Sequence, residues 1–229
     1  MEFVVASTFT PSGMTLSGKY ETGVISIGGM ASQGLKSLAR QWEFAEESAS
    51  KHGTAIDRKN WRILMSWHIA ESRDQAREEA KDGLLIHNNE YTTRALRPDD
   101  GQIFKTADEA VDAVAFSGVG NAVIGTPDDL INKIQEMIDV TGGFGAVIGF
   151  AHDWANRENT KKSWDLVARY VIPEINSMLV DYRDSIEFVV NNRETWTRAT
   201  DARLSNVAEH ESAAKVMQTE GLEGEKSKS

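Results

Sequence analysis

Apolar residues follow two alternating rhythms along this chain. Four short runs, FVVA at 3–6, VISI at 24–27, WRILMSWHIA at 61–70 and AVIGF at 146–150, read as strands. The last is continuous and lacks polar alternation, as expected of a parallel strand covered on both faces. Between and after these runs the apolar residues recur every third or fourth position. Leu35, Leu38, Ala39, Trp42, Ala45 and Ala49 mark a helix over 33–52. Ala110, Val111 and Val114 mark another over 106–115, and Leu130, Ile131, Ile134, Met137 and Ile138 a third over 127–141. A fourth runs from 157 to about 170, with Trp164, Leu166, Val167 and Val171 apolar. Each set forms one helical stripe.

Local signals set the ends of these helices. Thr126-Pro127-Asp128 supplies a cap, a proline suited to the first helical position and a carboxylate for the positive helix end. Ser72 and Gln75 match a capping box that opens a charged helix running into the eighties. Gly53 and Gly142-Gly143 stop helices, and Pro173 kinks or ends one. A short helix is expected over 14–20, another over 175–190 and a weaker one over 196–217. Residues 86–105 show no period and read as a long excursion. Strand followed by helix, four times over, is the signature of a parallel α/β fold. Four strands cannot close an eight-stranded barrel.

Composition narrows the function classes. The chain has 229 residues, 40% of them apolar and six of them tryptophan, enough for a full core. A formal charge of -10 argues against nucleic acid or an anionic membrane as partner, since either demands clustered cations. With no cysteine there is no disulfide, thiolate ligand or thiol nucleophile. No apolar run reaches membrane-spanning length and no signal-peptide pattern is present, so a soluble cytoplasmic protein is expected.

Candidate chemistry gathers after the strands, where parallel α/β folds place their sites. His152-Asp153-Trp154 follows the last run, which makes His152 the catalytic candidate. Asp153 either orients it or caps the next helix, and Trp154 reads as packing. The hydroxyl-rich loop Ser7-Thr8-Phe9-Thr10-Pro11-Ser12-Gly13 precedes a helix. It reads either as a phosphate cradle or as an ordinary cap and turn, and no GxGxxG or Walker pattern decides between them. Ser66 and His68 share one side of their strand by alternation, facing a ligand or, for His68, a core partner. His52 lies near a helix end, and His87 and His210 show no partner pattern. Without HxH, HExxH or a cysteine pair, no metal site is expected.

The segments VVASTFTPSG, LSGKY and VISIG, the block from QWEFAEESASKHG to WRILMSWHIAESRDQAREE, then VIGTPDDLINKIQEMID, GFAHDW and ARYVIPE carry a resemblance by their order and spacing. From Phe3 to about Arg193 the chain resembles the carboxyl-terminal half of a bacterial luciferase-like, flavin-dependent monooxygenase of the limonene monooxygenase-like branch. The resemblance implies a partial TIM-type (β/α)8 barrel, strands five to eight, over residues 1–194, with a helical extension and solvated tail over 195–229. It implies reduced FMN supplied by a separate reductase, or less commonly F420, and insertion of one oxygen of O2 into a small organic substrate. Ser7, Thr8, Ser12 and Gly13 then become the cofactor-binding residues. Relatives of this type have Gly after the KY pair, where this chain has Glu21. The first four strands have no counterpart in this chain, so a homo-oligomer or an amino-terminal half is the expected partner. A non-catalytic half-barrel remnant or assembly subunit, and an F420-dependent oxidoreductase, are the alternative readings.

Overall fold

The computed structural model describes residues 2–7, 10–27, 32–96, 99, 101–115, 122–209 and 215. Strands among them are β1 (Val4–Ser7), β2 (Gly23–Ser26), β3 (Trp61–Met65), β4 (Trp67–Ile69), β5 (Val123–Gly125) and β6 (Ala146–Gly149). β1-β2-β3-β6 form one sheet in that order, with every pair parallel. β4 and β5 form a second parallel pair. The expected single strand over 61–70 is therefore two strands that change partner at Ser66. Its main-chain oxygen accepts from the N–H of Val123, while that of Met65 accepts from the N–H of Phe150, both at 2.9 Å. Both arms of the fork come from one largely apolar run, and Ser66 at the split is no more conspicuous in it than Arg62 or His68. β5 has three residues, too few for a period to show.

The register sorts the main sheet into two faces. Val5, Val24 and Trp61 form one row, and Ser7, Ser26, Ile63 and Val147 the next, on the side covered by helices. The opposite face carries Ala6, Ile25, Arg62 and Ala146 in one row and Leu64 and Ile148 in another. On that face Ala6 and Ala146 are exposed and Ile25, Leu64 and Ile148 only partly buried. Among the described residues the sheet is thus covered on one side, and β6 departs from the expected strand buried on both faces.

Helices α1 (Ser12–Tyr20), α2 (Ser32–His52), α3 (Arg73–Ile86), α4 (Ala107–Ala115), α5 (Pro127–Thr141), α6 (Arg157–Leu166) and α7 (Ile172–Ile175) complete the first compact unit, which extends to Asn176. The principal core joins Leu38, Trp42, Trp61, Ile63, Leu130 and Met137, with the Trp42 and Trp61 rings stacked 5.2 Å apart. Thr126 caps α5 in a reciprocal box with Asp129, as its sequence announced. The first half of the long excursion expected over 86–105 is helical instead, through Leu96. α3 passes into a π-helical segment, His87–Leu96, whose i→i+5 spacing departs from the 3.6-residue period. Asn89 ties this segment to Phe104 through both its amide groups, at 2.8 and 3.0 Å. A second π-turn, Val167–Val171, joins α6 to α7 just before Pro173, which lacks a donor for the α-helical ladder. From Ser177 a separate unit holds α8 (Val180–Asn191) and α9 (Arg193–Glu209). No helix among the described residues is long and apolar enough to cross a membrane.

Candidate active site at the forked strand

Parallel pairing puts the carboxyl ends of the main strands on one rim. There, three residues beyond β6, the His152 Nε2 lies 2.9 Å from the Ser66 hydroxyl at the fork. The imidazole stacks on Trp154, with centroids 4.1 Å apart and planes within 7°. His87 meets it edge-on at 5.0 Å, and Phe150 packs against it at 5.0 Å. Tyr91 packs against His87 at 5.3 Å. Two local features bring these rings together. The π-helical segment delivers His87 and Tyr91 one turn apart, and Gly83 lets α3 press against the main chain of Trp154, where a Cβ would overlap the carbonyl. Trp154 is buried in the second core cluster with Ala76, Ala80 and Leu84.

Burial, reinforced by the neighbouring His87 charge and opposed by Asp153, lowers the His152 pKa to about 4. Burial also lowers that of His87, again opposed by Asp153. Near neutral pH His152 is an uncharged imidazole with one N–H and one lone pair. It can orient a polar group, but its basicity is too low for general-base work at pH 7.

The hydroxyl-rich loop lies across the sheet, at the β1 edge. Three inter-strand spacings separate β1 from β6, on the order of 14 Å. Ser7 is 3% exposed, on the helix-covered side, where its hydroxyl donates to Gln41 Oε1 at 3.4 Å. Ser26 donates to the same oxygen at 3.3 Å and accepts from the Trp61 indole N–H at 2.8 Å. Thr8 lies outside the described residues. Ser12 is exposed, with its hydroxyl 3.2 Å from that of Thr10. Gly13 is buried where α1 meets β1, and a Cβ would stand 2.5 Å from the Ala6 carbonyl. The α1 start has no side-chain cap among the described residues, which leaves its first-turn N–H groups able to accept an anion such as a phosphate.

The remaining histidines divide. His68 is a core residue, bonded through Nε2 to Glu79 Oε2 at 2.8 Å, and Ser66 rather than His68 joins the site. His52 Nδ1 lies 2.8 Å from the Ser48 carbonyl. His87, without a partner pattern in the sequence, belongs to the ring cluster. Trp154 both packs and stacks. His210 lies outside the described residues. Among the described residues no group of three His, Cys, Asp or Glu side chains could hold a metal ion.

No family model matches the chain. It is 35% identical over 182 residues to 4-hydroxyprotoasukamycin monooxygenase of Streptomyces nodosus subsp. asukaensis, covering 78% of this chain and 48% of that protein. It is 29% identical over 219 residues to limonene 1,2-monooxygenase of Rhodococcus erythropolis, covering 94% and 54%. The chain therefore spans about half the length of the curated relatives it matches. Among solved structures, its fold is similar to the oxygenating constituent of 3,6-diketocamphane monooxygenase from Pseudomonas putida, a type II Baeyer-Villiger monooxygenase in complex with FMN. That match has a TM-score of 0.58 and 24% identity, over 75% of this chain and 48% of the other. Coenzyme F420-dependent tetrahydromethanopterin reductase from Methanopyrus kandleri follows with a TM-score of 0.51 and 18% identity, over 76% and 51%. With these sequence relatives and the fold in agreement, the chain is a homologue, over most of its own length, of monooxygenases that include limonene 1,2-monooxygenase.

Proposed function

We propose that the chain is the carboxyl-terminal half, strands five to eight, of a flavin-dependent monooxygenase that uses reduced FMN from a separate reductase and oxygenates a small organic substrate. The observation that carries this reading is the one-sided sheet. A parallel sheet whose second face leaves Ala6 and Ala146 exposed and Ile148 half-covered is shaped as a sector of a barrel wall. The first-turn amides of α1, with Thr8 and Ser12, would hold the phosphate, and Gly13 lets that helix end sit against β1. Ser7 would act from beneath, through its bond to Gln41. Reduced flavin supplies the electrons that activate O2, one oxygen atom entering the substrate and the other leaving as water. At the opposite edge the uncharged His152, held by Ser66 and Trp154, orients a polar group of the substrate or cofactor. Phe150 and the two histidine rings keep water from that side.

The test is complementation. The amino-terminal half of limonene 1,2-monooxygenase is mixed with this chain, and reduced FMN and reduced F420 are titrated separately while tryptophan fluorescence is read. A reductase, NADH and limonene are then added. FMN binding and an oxygenated product are expected. A completed complex that binds neither cofactor leaves the non-catalytic reading, and one that binds only F420 makes the protein an oxidoreductase of the other kind.

A further inference from the structure

Two main-chain bonds hold β4 and the residue that follows it. The Ile69 N–H donates to the Ser163 hydroxyl and the Ala70 N–H to the Gly125 carbonyl, each at 2.9 Å. From this strand the buried His68, 4% exposed, reaches α3, where its Nε2 bonds Glu79 Oε2 at 2.8 Å. The other Glu79 oxygen accepts from the Gln75 amide, also at 2.8 Å, so the carboxylate is held through both oxygens. Glu79, Gly83 and His87 then follow at intervals of four, one ridge of the helix. Gly83 meets the Trp154 main chain, and His87 meets the His152 ring at 5.0 Å. The ridge thus runs from an anchored, enclosed pair at one end to the imidazole site at the other.

The rest of α3 grips its neighbours loosely. Its buried residues are Ala76, Ala80 and Leu84, and with Gly83 they make a face of mostly shallow ridges, which resists sliding weakly. Its ion pairs to other helices run from Arg73 to Asp129 and from Arg77 to Asp108 and Asp112. Each has one partner open to solvent, where such pairs contribute little. We infer that His68 and Glu79 form a positioning pair, whose bond fixes α3 along its own axis and thereby sets His87 against His152. The inference rests on the reading of His152 as part of the active site and deepens it. Glu79 acts through the helix, and His87 through its ring contact. With α3 in place, His87 shields His152 from water and the imidazole stays uncharged. With α3 displaced, water reaches the ring and its basicity returns.

The test reads His152 directly. Histidine ring protons of the full chain are followed by NMR across neutral and acidic pH, with His152→Phe identifying the resonance. His68→Leu combined with Glu79→Leu removes the bond without leaving either partner buried and unpaired, so unchanged far-ultraviolet circular dichroism is expected. In this double variant His152 should titrate well above its native value of about 4, toward the ordinary 6.5. His68→Gln, which carries an N–H of similar reach, should titrate as the native chain does. Glu79→Asp keeps the charge, shortens the side chain and should give an intermediate value. Thr126→Ala weakens α5 instead, and should lower the thermal midpoint while leaving His152 unmoved. Native titration in the double variant, or in Glu79→Asp should the double variant not fold, overturns the inference. No flavin enters this measurement, which keeps the two readings apart. A shifted His152 in a chain whose completed complex binds no flavin counts against the monooxygenase reading alone. A complex that oxygenates limonene while His152 of the double variant titrates natively counts against the positioning pair alone.

Discussion

Glu21 closes α1 with φ 56° and ψ 36°, the left-handed conformation that glycine adopts without penalty. The glycine that the family resemblance leads one to expect at this place would thus have a backbone reason. Glu21 recovers part of the cost by accepting from the Ala55 N–H at 2.9 Å. Glu21→Gly should raise stability by about 0.5–1 kcal/mol, read from urea midpoints. His152 gives a pH signature. Its folded pKa of about 4 lies below the ordinary 6.5, so the unfolded chain takes up the proton first. The stability tied to the neutral ring is full above pH 6.5, declines as pH falls, and is gone below about 4. His152→Phe, which keeps a ring against Trp154, should flatten that dependence, with His87 retaining a remainder of the same sign. A steeper slope in the variant would contradict the assignment. At this scale the position of His152 at the strand rim was legible because it follows a recognisable strand. His87 was not, because its neighbours come from distant segments.

Among the elements, α5 is the one whose sequence said most. Thr126, Pro127 and Asp129 all act as the cap signals require, and Arg73 beside Asp129 holds that carboxyl at about 2. Thr126→Ala should cost about 1 kcal/mol. Asp129→Asn should lower the thermal midpoint at pH 7 but matter little below pH 2, where the native carboxyl is protonated. α3 is held to the site by a close approach, so Gly83→Ala should cost about 1–3 kcal/mol and perturb the near-ultraviolet signal of the Trp154–His152 stack. An unchanged signal would mean that α3 does not set the ring geometry. The regular helices were legible because burial enforces a 3.6-residue stripe. The His87–Leu96 segment was not, because its repeat is wider and Asn89 and Thr93 hold it through main-chain groups at Phe104 and Gln102. The fork at Ser66 escaped for another reason, since pairing choice leaves side-chain character unchanged.

For the molecule as a whole, strand–helix alternation made the parallel α/β class legible, and the order of VVASTFTPSG, the long central block and GFAHDW made the family legible. The exposed sheet face was not, because apolar runs look alike whether one side is covered or two. That face predicts behaviour in solution: refolding yield should fall as protein concentration rises, measured by light scattering during dilution from urea. The sheet order also imposes a waiting time. β3 pairs with β6, whose residues leave the ribosome about 80 positions later. At 5–20 residues per second, the Arg62–Met65 edge spends roughly 4–16 s without its partner during synthesis. In that window the nascent edge is open to mispairing with a neighbouring chain on the same polysome.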